Sequence, residues 1–278
     1  MIFVLKRIIT GVVGIAVLLP FIIFSDTWAL VVMTSVMSVF AVCEVLRCTE
    51  QIKRWPVTVM SVGVCLTAQI LPRLMESDIY TTVMLLVYIA FAVILMTLAV
   101  FSKGNFKLME ATQIAVMVMY ISFGFSALIL LRDLESGLAL MLFAFLVPWV
   151  CDAMAYFVGV FFGKHKMIPD VSPKKTVEGA VGGIIGGLLI TVIFGVVMQF
   201  AFDMDTHYPM LIVLALVACL VSQWGDLIAS LLKREYGVKD YGKLFPGHGG
   251  VMDRFDSIIA VSTFMYIVCR SFAGVSLF

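Results

Sequence analysis

Charge is scarce in this sequence. Asp, Glu, Lys and Arg make up 13% of its 278 residues, against the ~25% usual in a soluble domain. Hydrophobic residues make up 62% and the mean hydropathy is +1.11, which excludes an ordinary soluble globular protein. The ~10-residue alternation of an outer-membrane barrel is missing. The cysteines at 43, 48, 65, 151, 219 and 269 lie in or beside apolar runs, with no CxxC or His-paired spacing. Zinc and disulfide roles therefore recede, and packing as small hydrophobes is the better reading. The chain also lacks a 20–50-residue repeat, a low-complexity tract and a linker long enough to set off a soluble domain. The net charge of +1 says little, and no nucleic-acid partner is expected.

Long apolar runs are what remain, several of them reaching the ~20 residues that cross a bilayer as helix. Nine spans can be read, at about 8–24, 28–46, 57–71, 80–101, 113–131, 137–163, 177–202, 208–233 and 253–272. They predict an all-α integral membrane protein, a polytopic bundle of about nine transmembrane helices. The first follows Lys6 and Arg7 like a signal sequence, but no small-residue cleavage site follows Phe24, so it reads as a retained helix. Nine spans create two alternating sets of loops, and sixteen of the nineteen Lys and Arg fall in one set, leaving Arg73, Arg132 and Arg270 in the other. That bias predicts a cytoplasmic N-terminus and a C-terminus across the membrane.

Polarity changes along the chain. Residues 1–147 read as about five scaffold helices with lipid or dimer contacts, and there Glu44 reads as a helix-end residue in a loop. Residues 148–278 read as a catalytic region of about four helices with cytoplasmic loops. In "PWVCDAMAYFVGVFFGKHK", Asp152, Tyr156, Gly159 and Gly163 share one helical stripe. A carboxylate inside a span costs about a few kcal/mol unless matched. Asp152 therefore faces a polar cavity, a cation or an interhelical hydrogen bond. Pro148 and the glycines of 148–163 could tolerate an irregular backbone beside such a cavity.

In "VSPKKTVEGAVGGIIGG", Ser172, Lys174, Lys175 and Thr176 precede a helix whose first amides would share an anion with the lysines. Positive-inside topology alone would also account for those lysines. Gly179, Gly183 and Gly187 form a small-residue ridge suited to close helix packing, and Glu178 could orient a lysine or a metal-bound water. Further on, Asp226, Ser230 and Lys233 lie on one helical face with Arg234 beside them. "YGKLFPGHGGVMDRFDS" then brings a Pro-Gly break, a Gly-rich turn and a new helix whose first turn holds Asp253 and Asp256. Helix capping accounts for one carboxylate there. Three carboxylates among Lys233, Arg234, Lys239, Lys243 and Arg254 point instead to a divalent-metal site adjoining a polyphosphate site.

The run Ser230 to Asp256, "SLLKREYGVKDYGKLFPGHGGVMDRFD", resembles the signature of the phosphatidate cytidylyltransferases, or CDP-diacylglycerol synthases. Lys233-Arg234, Lys239-Asp240, His248-Gly249-Gly250, Asp253-Arg254 and Asp256 fall at that family's spacing, and "DAMAYFVG", "FFGKHK" and "SPKKTVEG" extend the likeness over roughly 148–272. The resemblance implies transfer of CMP from CTP to phosphatidic acid. It implies a divalent metal, usually magnesium, at Asp226, Asp253 and Asp256, with a second cation nearby. Ser172, Lys174, Lys175 and Thr176 would then take substrate phosphate, with Lys233, Arg234, Lys239 and Arg254 neutralising charge. For His248 three roles stay open: phosphate donor, acid to the leaving group and turn residue. A transporter of an anionic solute is the competing class, and a CTP-dependent relative with another lipid acceptor is the nearer alternative. The expected setting is a bacterial inner membrane with the site on its cytoplasmic face, and a homodimer is left open.

Overall fold

The computed structural model describes residues 14, 18–245, 247, 249–271 and 277. His248 and most of the first expected span, 8–24, lie outside the described residues. Among the described residues eight long helices follow one another: α1 (Trp28–Cys48), α2 (Trp55–Ile70), α3 (Ser77–Phe101), α4 (Leu108–Arg132), α5 (Gly137–Phe162), α6 (Val177–Phe202), α7 (Tyr208–Glu235) and α8 (Met252–Ser271). A short antiparallel hairpin, β1 (Lys166–Ile168) and β2 (Ser172–Thr176), sits between α5 and α6. The chain is an integral membrane protein of the helical class: α1 to α7 are each long and apolar enough to cross a bilayer, with Arg73 ending the second stretch. Helix α8 carries Asp253, Arg254 and Asp256 in its first turns and Arg270 in its last, more charge than a plain apolar span.

The chain divides into two compact units, Met1–Leu130 with Val238–Arg254, and Leu131–Gly237 with Phe255–Phe278. In the first, the apolar faces of α2, α3 and α4 are joined by hydrogen bonds that lipid cannot supply. Tyr80 donates to Ser126 at 2.7 Å, Tyr88 and Ser122 share a bond of 3.0 Å, and Gln69 donates to the Ser122 carbonyl at 2.9 Å. All five side chains are buried. Thr27 caps α1 by accepting from the Ala29 amide, and Pro56 opens α2, where its missing N–H costs nothing.

In the second unit α6 is the hub, packed on both α5 and α7. Its approach depends on missing side chains. A Cβ on Gly183 would stand 2.8 Å from the Cys151 carbonyl, one on Gly182 would stand 2.5 Å from Val158, and one on Gly187 would run into the Cys219 thiol. The glycine ridge is thus a packing surface between helices. Helix α5 runs unbroken through Pro148 to Phe162, so the irregular backbone that 148–163 could have tolerated is not adopted. A proline removes one N–H, and a helix packed among neighbours tolerates that loss.

The contact at Gly187 gives a direct test. Gly187→Ala should lower stability by about 1–3 kcal/mol through overpacking, read as earlier thermal unfolding in detergent. Adding Cys219→Ala removes the atom it strikes and should recover most of the loss. Equal unfolding temperatures for the single and double variants would contradict the packing account.

Candidate active site

In the second unit three carboxylates and two ammonium groups converge from four elements. Asp152 lies on α5, Asp226 on α7 and Asp256 on α8, with Asp152 in the field of Asp226 and Asp256 in the field of both. Lys175, from β2, places Nζ 2.6 Å from Asp226 Oδ2, while the Ser230 hydroxyl donates to Asp226 Oδ1 at 3.2 Å. Ser230 and Asp226 are four residues apart on α7, so the shared face expected from the sequence places them in contact. The Ser257 hydroxyl donates to Asp152 at 3.1 Å and its amide donates to Asp256 at 2.8 Å. Lys233 is buried at 8% exposure and offsets the charge of Asp256, itself 6% exposed. Burying so many charges is tolerable only because both signs and several donors are present.

The basic loop upstream is organised by its own hydrogen bonds. Thr176 is buried, and its Oγ1 caps α6 by accepting from the Gly179 amide at 3.1 Å. It serves the helix, and the expectation of a substrate contact finds no support in that geometry. Glu178, expected to orient a lysine or a metal-bound water, instead gathers the preceding loop. It accepts from the Lys164 amide at 3.1 Å and the His165 amide at 3.2 Å, and meets His165 Nδ1 at 2.6 Å. Lys174 is exposed and Ser172 partly buried on β2, while the Arg234 Nε donates to the Val171 carbonyl at 3.1 Å. Tyr156 stands apart: it is 65% exposed, edge-on to Phe157, and among the described residues it makes no hydrogen bond to the carboxylates. The stripe that linked it to Asp152 is real as helix geometry, but the helix turns Tyr156 outward.

The Gly-rich segment belongs to the first unit. Asp253 Oδ2 accepts from the amides of Tyr241 at 2.8 Å and Gly250 at 2.9 Å, tying both ends of the 241–250 loop to the start of α8. Gly249 adopts φ +87°, a left-handed conformation, and a Cβ there would stand 2.7 Å from Asp253 Oδ2. Gly249 and Gly250, which fall at the family spacing, lie where the protein's own carboxylates leave no room for a Cβ. Lys239, Asp240, Lys243 and Arg254 are exposed along this segment.

One residue escaped the sequence reading. Glu44, taken for a loop residue, is buried within α1 at 2% exposure and accepts from the amides of Val251 at 3.0 Å and Met252 at 2.9 Å. It thereby caps α8 from 207 residues away. Gly242 and Gly250 both lie against its carboxylate, where any side chain would collide. The signal available was a lone acid inside "AVCEVLRC", an ionisable group in an apolar run.

Among the described residues no three His, Cys, Asp or Glu side chains are grouped so as to hold a metal by themselves. The donors that converge are all oxygen, carboxylate and hydroxyl, which suits a hard cation held by one or two carboxylates. Substrate phosphates and water would supply the rest of its shell.

The sequence model of the Cytidylyltransferase family matches residues 5–272, almost the whole chain. The chain belongs to the cytidylyltransferase family. Among curated members it is similar to the phosphatidate cytidylyltransferase of Staphylococcus haemolyticus, 34% identical over 262 residues that cover 94% of this chain and 97% of that one. That of Bacillus subtilis is 41% identical over 185 residues, 66% of this chain and 67% of the relative. The Staphylococcus aureus (strain COL) protein of the same name is 33% identical over 262 residues, again 94% and 97% of the two chains. Family membership thus extends over the N-terminal helices, which the sequence motifs alone had left unassigned.

Proposed function

We propose that this cytidylyltransferase transfers CMP from CTP to phosphatidic acid, giving CDP-diacylglycerol and pyrophosphate at the membrane. The observation that carries the reading is the convergence of Asp152, Asp226 and Asp256 with Lys175 and Lys233 inside an apolar bundle. The carboxylates outnumber the ammonium groups, which suits anionic substrates that arrive with a cation, and the relatives' names supply the two substrates.

The chemistry needs little acid or base help. A phosphate monoester has a second pKa of about 6, so a phosphatidate head group is largely dianionic near neutrality. One of its oxygens attacks the α-phosphorus in line, the new P–O bond forms, and the bond to the β-phosphate breaks to release pyrophosphate. Bringing two anions together and stabilising the leaving group are the barriers to lower. A divalent cation, magnesium by its oxygen donors, would when bound supply Lewis-acid stabilisation of the charge that builds up on the transferred and leaving phosphates. Its proposed ligands are Asp226, Asp253 and Asp256, with a second cation beside them; Asp253 enters this proposal through its motif.

Lys175 compensates Asp226 at 2.6 Å, and its ammonium would be available to neutralise substrate phosphate if a cation were held by Asp226. Lys174, exposed one residue earlier, attracts substrate by its charge. Ser172 and Arg234 border the same loop. Arg254, Lys239 and Lys233 neutralise remaining phosphate charge, Arg254 by its forked donors. Residue 248 retains all three roles raised for it. The membrane proposed is a bacterial inner membrane, with CTP arriving from the cytoplasm and phosphatidate from the leaflet.

Purified protein in detergent should convert phosphatidic acid and CTP to lipid-linked CMP and pyrophosphate with magnesium, and fail with ATP or UTP. Asp226→Asn should abolish this while inserting and folding normally. Absence of product with CTP still bound would assign another lipid acceptor, and absence of CTP binding would favour an anion transporter.

The two lysines should separate. Lys174→Ala should raise KM with kcat nearly unchanged, whereas Lys175→Ala should lower kcat as well, because Asp226 loses its counter-charge. Indistinguishable kinetic constants for the two variants would refute the division of labour.

A further inference from the structure

We infer that Glu44 is a positioning residue for this reaction: from α1, its carboxylate fixes the first peptides of α8 and through them the placement of Asp253. The inference rests on the proposed reading of Asp253 as a metal ligand and goes beyond it, because Glu44 lies outside every motif that carries the family signature.

Three observations converge on the same few atoms. First, both oxygens of Glu44 are used, Oε1 by the Val251 amide at 3.0 Å and Oε2 by the Met252 amide at 2.9 Å. Two N–H donors demand two acceptors, which a carboxylate has and a side-chain amide lacks. Second, Gly242 and Gly250 lie so close to the carboxylate that a Cβ on either would collide with it. Third, Gly250 is a shared node. Its amide donates to Asp253 Oδ2 at 2.9 Å, its α-carbon faces Glu44, and the next two amides bind Glu44. Any shift of the Glu44 carboxylate is therefore passed to the peptide that precedes Asp253 by one residue.

The arrangement also decides what α8 offers a substrate. The amides at a helix N-terminus are a ready anion site. Here Glu44 already takes the amides of Val251 and Met252, so those two donors are spent on the protein's own carboxylate. A buried carboxylate is costly in an apolar helix, and its placement at the positive end of α8 offsets that cost.

The test compares Glu44→Gln and Glu44→Asp with wild type by two readouts. Gln presents an NH2 group to one of the amides, and Asp keeps the charge but withdraws it by one methylene. Both should raise the magnesium concentration for half-maximal rate by roughly tenfold, the scale of one lost charge-assisted hydrogen bond. KM for phosphatidate should stay within about twofold, since charge-assisted anchoring of the lipid is elsewhere. In metal-free protein both should speed tryptic cleavage after Lys239 and Lys243, which are exposed on the tethered loop.

Gly242→Ala probes the same carboxylate without altering it. It should raise the magnesium requirement alone, yet add nothing in a Glu44→Ala background, where the three atoms nearest the new Cβ are gone. Faster cleavage with an unchanged magnesium requirement would make the clamp merely structural and overturn the inference. Retention of wild-type behaviour by Glu44→Asp would overturn it too, since charge without reach would then suffice. Asp253→Asn, run in parallel, separates the levels. If it keeps the wild-type magnesium dependence, the metal reading of Asp253 falls and this inference with it. If it loses that dependence while Glu44→Gln does not, this inference alone fails.

Discussion

Every carboxylate placed inside this apolar chain has to be matched by a donor that the lipid cannot provide, and that requirement organises the structure. Asp226 is matched by the Lys175 ammonium and the Ser230 hydroxyl, and Asp152 by Ser257. Glu44 is matched by the first amides of α8, and Asp253 by the two ends of its own loop. Each match recruits a different kind of partner: a lysine, a hydroxyl or backbone N–H groups. What each carboxylate can then do differs. A carboxylate facing a lysine can exchange that cation for another, whereas one facing backbone amides is held in place.

This division explains why glycines crowd the same regions. In the second unit they let α6 approach α5 and α7 closely enough for the carboxylate-bearing helices to pack. In the first unit Gly242, Gly249 and Gly250 let backbone reach Glu44 and Asp253. A Gly-rich turn beside acids is easily taken for a phosphate cradle. Here the protein's own carboxylates take up the space those glycines leave.

The helical membrane class was legible from composition alone, because a bilayer admits few alternatives. The polar residues were legible too, since ionisable groups in apolar runs stand out, and the motif from Ser230 to Asp256 carried the family. Partners were harder to read. The hydrogen-bond partners of Thr176 and Glu178 could not be read from the sequence, because capping and ligand binding use the same side-chain chemistry at the same helix end. Tyr156 shares a helical stripe with Asp152, but position on a stripe does not decide which way a side chain turns once neighbours pack. Glu44 was missed because its partners lie 207 and 208 residues away, a separation no local pattern encodes.

The central claim is that the carboxylates of this cytidylyltransferase hold a divalent cation together with the nucleotide. Electron paramagnetic resonance of manganese, titrated into detergent-solubilised protein with and without CTP, tests it most directly. The account predicts a bound manganese signal that strengthens when CTP is present and disappears in Asp226→Asn. Equal manganese binding by wild type and Asp226→Asn, with CTP present in both, would contradict it.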